Sequence, residues 1–130
     1  MALCSPFRPL GVGVKAVVRL NALACTTTAH DVPLGDIRGR AEWRAELTGA
    51  VEEGAAVARA EDAPIEAGEV LEELWEAHEG LTSSMQRDVA AGREPELDAI
   101  AGAVLRGGER HGIATPTVAA LAAAIRARLP

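Results

Sequence analysis

The sequence is poor in aromatic side chains, lysine and cysteine. Phe7, Trp43 and Trp75 are its phenyl and indole residues, and tyrosine is absent. Sheets draw on aromatic and β-branched runs, so this shortage disfavours strands. Lysine occurs once, at Lys15, against twelve arginines, so chemistry that needs a side-chain amine has one place to go. Cys4 and Cys25 are too few and too unpatterned for a disulfide framework or a zinc site, and they read as the reduced thiols of a cytoplasmic protein. No apolar run approaches the roughly 18 residues of a transmembrane span. The opening MALCSPFRPLGVGV holds two prolines and no continuous apolar stretch, unlike a secretory signal. A net charge of −6 without a basic stripe argues against a nucleic-acid partner. His30, His78 and His111 are scattered, with no helical H-x-x-x-H pair, so no metal site is expected.

What is present points to one helical domain. The chain has 130 residues, 48% apolar and 25% charged, enough to bury a core without staples. It contains 27 alanines, the strongest helix former. Residues 1–13 read as irregular, because Pro6 and Pro9 interrupt any helix. From Val14 to Ala29 the sequence is apolar almost all round, which predicts a buried helix. His30 to Gly35 reads as a loop. A second helix is predicted over 38–62, with Trp43, Leu47, Ala50, Val51, Gly54 and Ala58 at three- and four-residue spacing. A third spans 66–78, with Val70, Leu71, Leu74, Trp75 and His78 on one side, and His78 reads as a core or boundary residue. Thr82 or Ser83 is placed to cap a short helix that Gly92 ends. Pro95 stands where a further helix would begin, and Gly112 where it would stop. Thr115 and Pro116 form an N-cap and first-turn pair for the last helix. The expectation is an all-α fold of about six helices over residues 14–130.

One stretch is more specific than periodicity. Residues 83–98 read S-S-M-x-x-D, then four residues, then R-x-x-E-x-D; an apolar helix follows, and then H-G-I-x-T-P from His111 to Pro116. Each residue also has a plain structural role to offer. Ser83 and Ser84 suit helix caps. Asp88 suits a surface charge or a tie to Arg87 or Arg93. Glu96 suits the first turn of a helix, where a carboxylate is favourable. Lys15 suits a side chain that snorkels to solvent from an apolar helix.

Together these residues resemble the C-terminal domain of the ketopantoate reductases (2-dehydropantoate 2-reductases), an all-helical domain of the 6-phosphogluconate-dehydrogenase C-terminal type. The resemblance covers residues 14–128 and is strongest over 81–118; before residue 40 only Lys15, its helix and the turn Pro33, Gly35, Ile37 follow the family. It implies an oxidoreductase that reduces 2-dehydropantoate to pantoate with NADPH, a step toward pantothenate and coenzyme A. In such enzymes a Rossmann domain holds the nucleotide and the helical domain closes the substrate cleft. The resemblance implies Lys15 as the catalytic lysine that donates a hydrogen bond and a proton to the ketone oxygen. It implies Glu96 as the glutamate that binds the substrate hydroxyl and helps hold the lysine, and Ser84 as a contact to the substrate carboxylate.

The sequence also departs from that pattern. Gly13 stands where the family usually has tryptophan. Arg19 and Leu23 stand where many members carry substrate-binding asparagines, one and two turns after the lysine, and Ala101 replaces another asparagine. Asn21 is the nearest amide and is kept as a substrate-binding candidate, although its offset of six puts it on another helix face. Gly11 to Ala16 satisfies G-x-G-x-x-A, but two prolines precede it and no strand or βαβ unit surrounds it, so no cofactor-binding residues are assigned. The chain is therefore expected to lack the Rossmann domain, to bind no NADPH alone, and to be inactive without that domain. The first helix would lean on a Rossmann partner or drive self-association. The alternative function is a helical interaction or dimerisation module without catalysis. A small keto acid is the expected substrate, with no membrane partner.

Overall fold

The computed structural model describes residues 13–130. Among them are seven helices and no strand: α1 Val14–His30, α2 Leu34–Gly39, α3 Ala41–Ala60, α4 Ala67–Glu76, α5 Ser84–Ala90, α6 Leu97–His111 and α7 Pro116–Arg126. The irregular segment expected over residues 1–13, Cys4 included, lies outside the described residues except for Gly13, the N-cap of α1. The all-α expectation holds. The helix count differs because α2 occupies what reads as loop followed by helix. A six-residue helix has too little periodicity to be seen in sequence and too few bonds to stand alone. It is held from outside: the Leu34 and Gly35 amides donate to the Leu81 and Glu79 carbonyls at 2.9 and 2.8 Å, and Leu34 and Ile37 are fully buried. A Cβ on Gly35 would lie 2.9 Å from the Glu79 carbonyl oxygen, so only glycine allows this approach. Arg40, in extended backbone, separates α2 from α3.

Helix α1 runs through the centre and packs against all six others. Its second half, Asn21 to Thr28, is buried throughout, whereas its first two turns, Val18 apart, are only partly covered and Leu20 is 44% exposed. Burial on all sides is therefore confined to the end that the other helices reach. The core around it is made of small and branched aliphatic residues, among them Val18, Leu47, Val51, Val57, Leu74, Leu121 and Ile125. The three buried threonines of α1 pose a polar problem. Thr26 and Thr27 solve it by donating to the Ala22 and Leu23 carbonyls one turn back, at 2.8 and 2.7 Å.

Two helix ends are completed by side chains from elsewhere. Thr115 does not cap α7 with its side chain. Glu53 of α3 does so instead, its two oxygens accepting from the Thr117 and Val118 amides at 2.9 Å each. Arg38 of α2 donates to the Leu74, Trp75 and Ala77 carbonyls at the end of α4. His78 is exposed rather than a core residue, because α4 ends before it; its Nδ1 accepts the Gly80 amide at 2.9 Å. Helix α6 begins at Leu97 with Glu96 as N-cap, two residues later than Pro95 suggests, because Glu96 has a non-helical backbone.

Replacing Glu53 with Ala is expected to lower stability by about 1–2 kcal/mol, the range for a lost N-cap, and urea unfolding measures it. A change within about 0.5 kcal/mol would contradict the capping role.

Candidate functional site

Ser84 and Glu96 line one cavity. It has a volume of about 210 Å³, and Met85, Asp88 and Ile100 complete its walls. Helix α5 supplies Ser84, Met85 and Asp88, and the start of α6 supplies Glu96 and Ile100. The loop between them is pinned at both levels. The Arg93 amide donates to the Asp88 carbonyl at 2.8 Å, and Arg93 Nε donates to Asp88 Oδ1 at 3.0 Å. Gly92 takes the left-handed conformation, φ +75°, that reverses the chain there. Asp88 is thus tied to Arg93, one of the plain roles its position offers, and the tie sets the α6 wall of the cavity opposite the α5 wall.

The two serines divide their work. Ser83 is the N-cap of α5: its Oγ accepts the Gln86 amide at 3.1 Å and lies 3.2 Å from Thr27 Oγ1. Thr27 spends its own hydrogen on the Leu23 carbonyl, so Ser83 is the donor between the two hydroxyls. The chain Gln86 N–H to Ser83 to Thr27 to Leu23 leaves no donor over. Ser83 is buried and fully used, and Ser84, exposed in the cavity wall, is the serine free to meet a ligand.

Lys15 stands apart from this cavity. It lines a separate depression of about 290 Å³ with Pro64, Ile65, Glu66 and Glu69. Its Nζ lies 2.5 Å from Glu73 Oε2 and 3.6 Å from Glu69 Oε2. Arg19, one turn along α1, pairs with the other Glu73 oxygen. The hydrogen bond that Lys15 donates to Glu73 holds its ammonium above the ordinary lysine value. Hydrogen bonds from Lys15 and then Arg19 hold the Glu73 carboxyl below the ordinary glutamate value. An ammonium held this way is a ready hydrogen-bond donor and a reluctant acid. Sequence spacing offered no route to Glu73, since it lies far along the chain and α4 carries several glutamates.

Asn21 faces neither place. It is 1% exposed, its Oδ1 receives the Cys25 thiol at 3.5 Å, and its Nδ2 has no partner. The offset of six turns it about 240° from Lys15 around α1. Burial pushes the Cys25 thiol up to about 12, so it stays protonated and unreactive at neutral pH. Among the described residues no group of histidine, cysteine and acidic side chains is placed to hold a metal, and no helix is long and apolar enough to cross a membrane.

Comparison with known proteins gives the chain its family and its fold. Residues 15–129 match the family model described as the C-terminal part of ketopantoate reductase PanE/ApbA. The 2-dehydropantoate 2-reductase of Caulobacter vibrioides is 41% identical over 124 residues, covering 93% of this chain; the chain spans 40% of that relative's length. A ketopantoate reductase of Ralstonia eutropha superposes with a TM-score of 0.79 at 26% identity, over 88% of this chain and 39% of the other. The fold is also that of D-mandelate dehydrogenase, solved with NADH and anilino(oxo)acetate, at a TM-score of 0.79 and 24% identity over 88% of this chain and 65% of the other.

Two measurements check the site. Ser83→Ala should cost about 1 kcal/mol through the lost cap, while Ser84→Ala stays within about 0.5 kcal/mol, both by urea unfolding; equal costs would erase the division between them. In a carbon-detected NMR titration, Glu73 should ionise below the ordinary glutamate range and move up in Lys15→Met. A depressed carboxyl favours the folded state above its unfolded value and loses that contribution as pH falls through its folded value. Raised Lys15 contributes below its unfolded value and loses it as pH rises through the folded one. The pair is therefore intact across neutral pH.

Proposed function

The chain belongs to the ketopantoate reductase family, as its C-terminal helical domain, and from that premise we propose that it is the substrate-binding half of a 2-oxo acid reductase acting on 2-dehydropantoate or a close relative. The observation that carries the proposal is the shared cavity of Ser84 and Glu96. Ser84 opens α5 and Glu96 is the N-cap of α6, and the Asp88–Arg93 tie aligns them. Ser84 offers a hydroxyl donor and acceptor, and Glu96 a carboxylate that accepts from a substrate hydroxyl. Lys15 is the proton donor to the oxygen of the reacting ketone, where its positive charge also offsets developing negative charge. Asn21, buried and turned away, is not given a substrate contact.

The nucleotide does not fit the described residues. NADPH or NADH needs a glycine-rich turn between a strand and a helix, at the edge of a parallel sheet. The described residues hold no strand, and Lys15 and Ala16 of the G-x-G-x-x-A run lie inside α1. A separate nucleotide-binding domain is therefore part of the proposal, whether joined to this chain or supplied by another.

The second function, an interaction module without catalysis, is favoured by one observation: Lys15 is engaged with Glu73 and lies outside the Ser84–Glu96 cavity.

The deciding assay follows substrate-dependent NADPH oxidation with 2-dehydropantoate. The chain is tested alone and mixed with a separately expressed nucleotide-binding half of a related reductase. Turnover in the mixture is expected, falling at least 100-fold in Lys15→Ala, the range for a lost general acid. A folded chain that binds the partner half and shows no turnover would favour the interaction module.

A further inference from the structure

We propose that Lys15 and Arg19 form a carboxylate-binding site, and that Glu73 occupies it as an internal stand-in for the carboxylate of an incoming 2-oxo acid. The proposal deepens the reductase function and rests on it for the class of ligand.

Lys15 and Arg19 are four residues apart on α1, so they project from one helix face as neighbours. They do not crowd onto one oxygen: Lys15 takes Glu73 Oε2 and Arg19 takes Oε1. One carboxylate bridged by an ammonium and a guanidinium is an arrangement that would hold a free carboxylate equally well. The site is open to solvent, since the Lys15 and Arg19 side chains are each 42% exposed and Glu73 is 35% exposed. A depression of about 290 Å³ adjoins Lys15, room for a small acid. Partner exchange at such a solvent-facing ion pair is easy, because water and salt screen it.

A 2-oxo acid carries its ketone oxygen next to its carboxylate. When Glu73 is displaced, Arg19 takes the carboxylate and Lys15 turns to the ketone oxygen. Glu69, 3.6 Å away, keeps a counter-charge near the ammonium. This also releases Lys15 from the partner that makes it a reluctant acid. Arg19 stands where many relatives are expected to carry an amide, so the site would give this chain its own way of holding the carboxylate, a duty the family resemblance gives to Ser84. Glu73 then acts as a built-in competitor. An attached group competes at an effective concentration of about millimolar or more, which weakens apparent binding in the intact chain.

The test is an NMR titration of the 130-residue chain with sodium pyruvate, against sodium chloride at matched ionic strength, reading the backbone amides of α1 and α4, which every variant retains. Glu73→Ala should bind pyruvate at least tenfold more tightly than the unaltered chain. Adding Arg19→Gln should abolish that gain, and adding Arg106→Gln, which removes an exposed cation on α6, should leave it. Glu73→Gln, which keeps the side-chain length and removes the charge, serves in place of Glu73→Ala if the latter unfolds. No gain in either Glu73 variant, or a gain that survives Arg19→Gln, would overturn the proposal. The readout needs no turnover, so failure of the reductase assay with pyruvate still bound at Arg19 would count against the reductase function alone.

Discussion

Everything in this fold depends on burying one helix on all sides at its C-terminal end. Helix α1 contacts every other helix, and eight successive residues, Asn21 to Thr28, are covered. A helix can be surrounded this closely only if its side chains are small or its neighbours give way. Both conditions are met. Alanines at 22 and 24 keep α1 slim, and across the interface Gly54 of α3 leaves room for Val18, where an added Cβ would stand 3.3 Å from Cγ1. The same economy recurs between α3 and α6, where a Cβ on Gly107 would come within 2.4 Å of Val57. The scarcity of aromatics in the sequence is thus the counterpart of closely spaced axes: large rings would force the helices apart.

The candidate cavity inherits its geometry from that central helix. Thr27 of α1 receives the Ser83 hydroxyl, Ser83 caps α5, and α5 carries Ser84 and Asp88. Asp88 then holds Arg93, and the chain reverses at Gly92 to deliver Glu96. The links are two hydrogen bonds worth about 1 kcal/mol each and one solvent-facing ion pair, yet the series fixes two walls of a cavity from opposite ends of one loop. Lys15 is placed by a different agency, the exposed pairing of α1 with α4, and so is not rigidly coupled to the cavity.

How much of this was legible in the sequence follows from the range of the forces involved. Local signals were sound. Gly112, with φ +67°, does end α6, Ser83 does cap α5, and Pro116 does open α7. Ser84 and Glu96 could be paired because the motif that contains them spans a single loop. Contacts between distant segments were not legible. Helix α2 exists because of the Glu79 and Leu81 carbonyls, α7 is capped by Glu53 rather than by Thr115, and Lys15 is claimed by Glu73. Periodicity records which face of a helix is apolar; it does not record which charged residue across the fold will meet it. His78 shows the same limit from the other side, since its place in the stripe suggested burial and the end of α4 left it in solvent.

The placement of the two tryptophans has a spectroscopic consequence. Trp43 stacks on His30 with ring centroids 4.2 Å apart, under the guanidinium of Arg40, and so sits where α1 meets α3. Trp75 lies under Arg44, where α3 meets α4. With no tyrosine in the chain, ultraviolet emission comes almost wholly from these two junctions, and α3 is common to both. Helices α5, α6 and α7 contain no indole. The protein therefore carries an intrinsic optical reporter for the docking of α3 that is nearly blind to the half containing Ser84 and Glu96. Fraying of that half would pass unnoticed in a fluorescence melt and show only in a backbone signal such as circular dichroism.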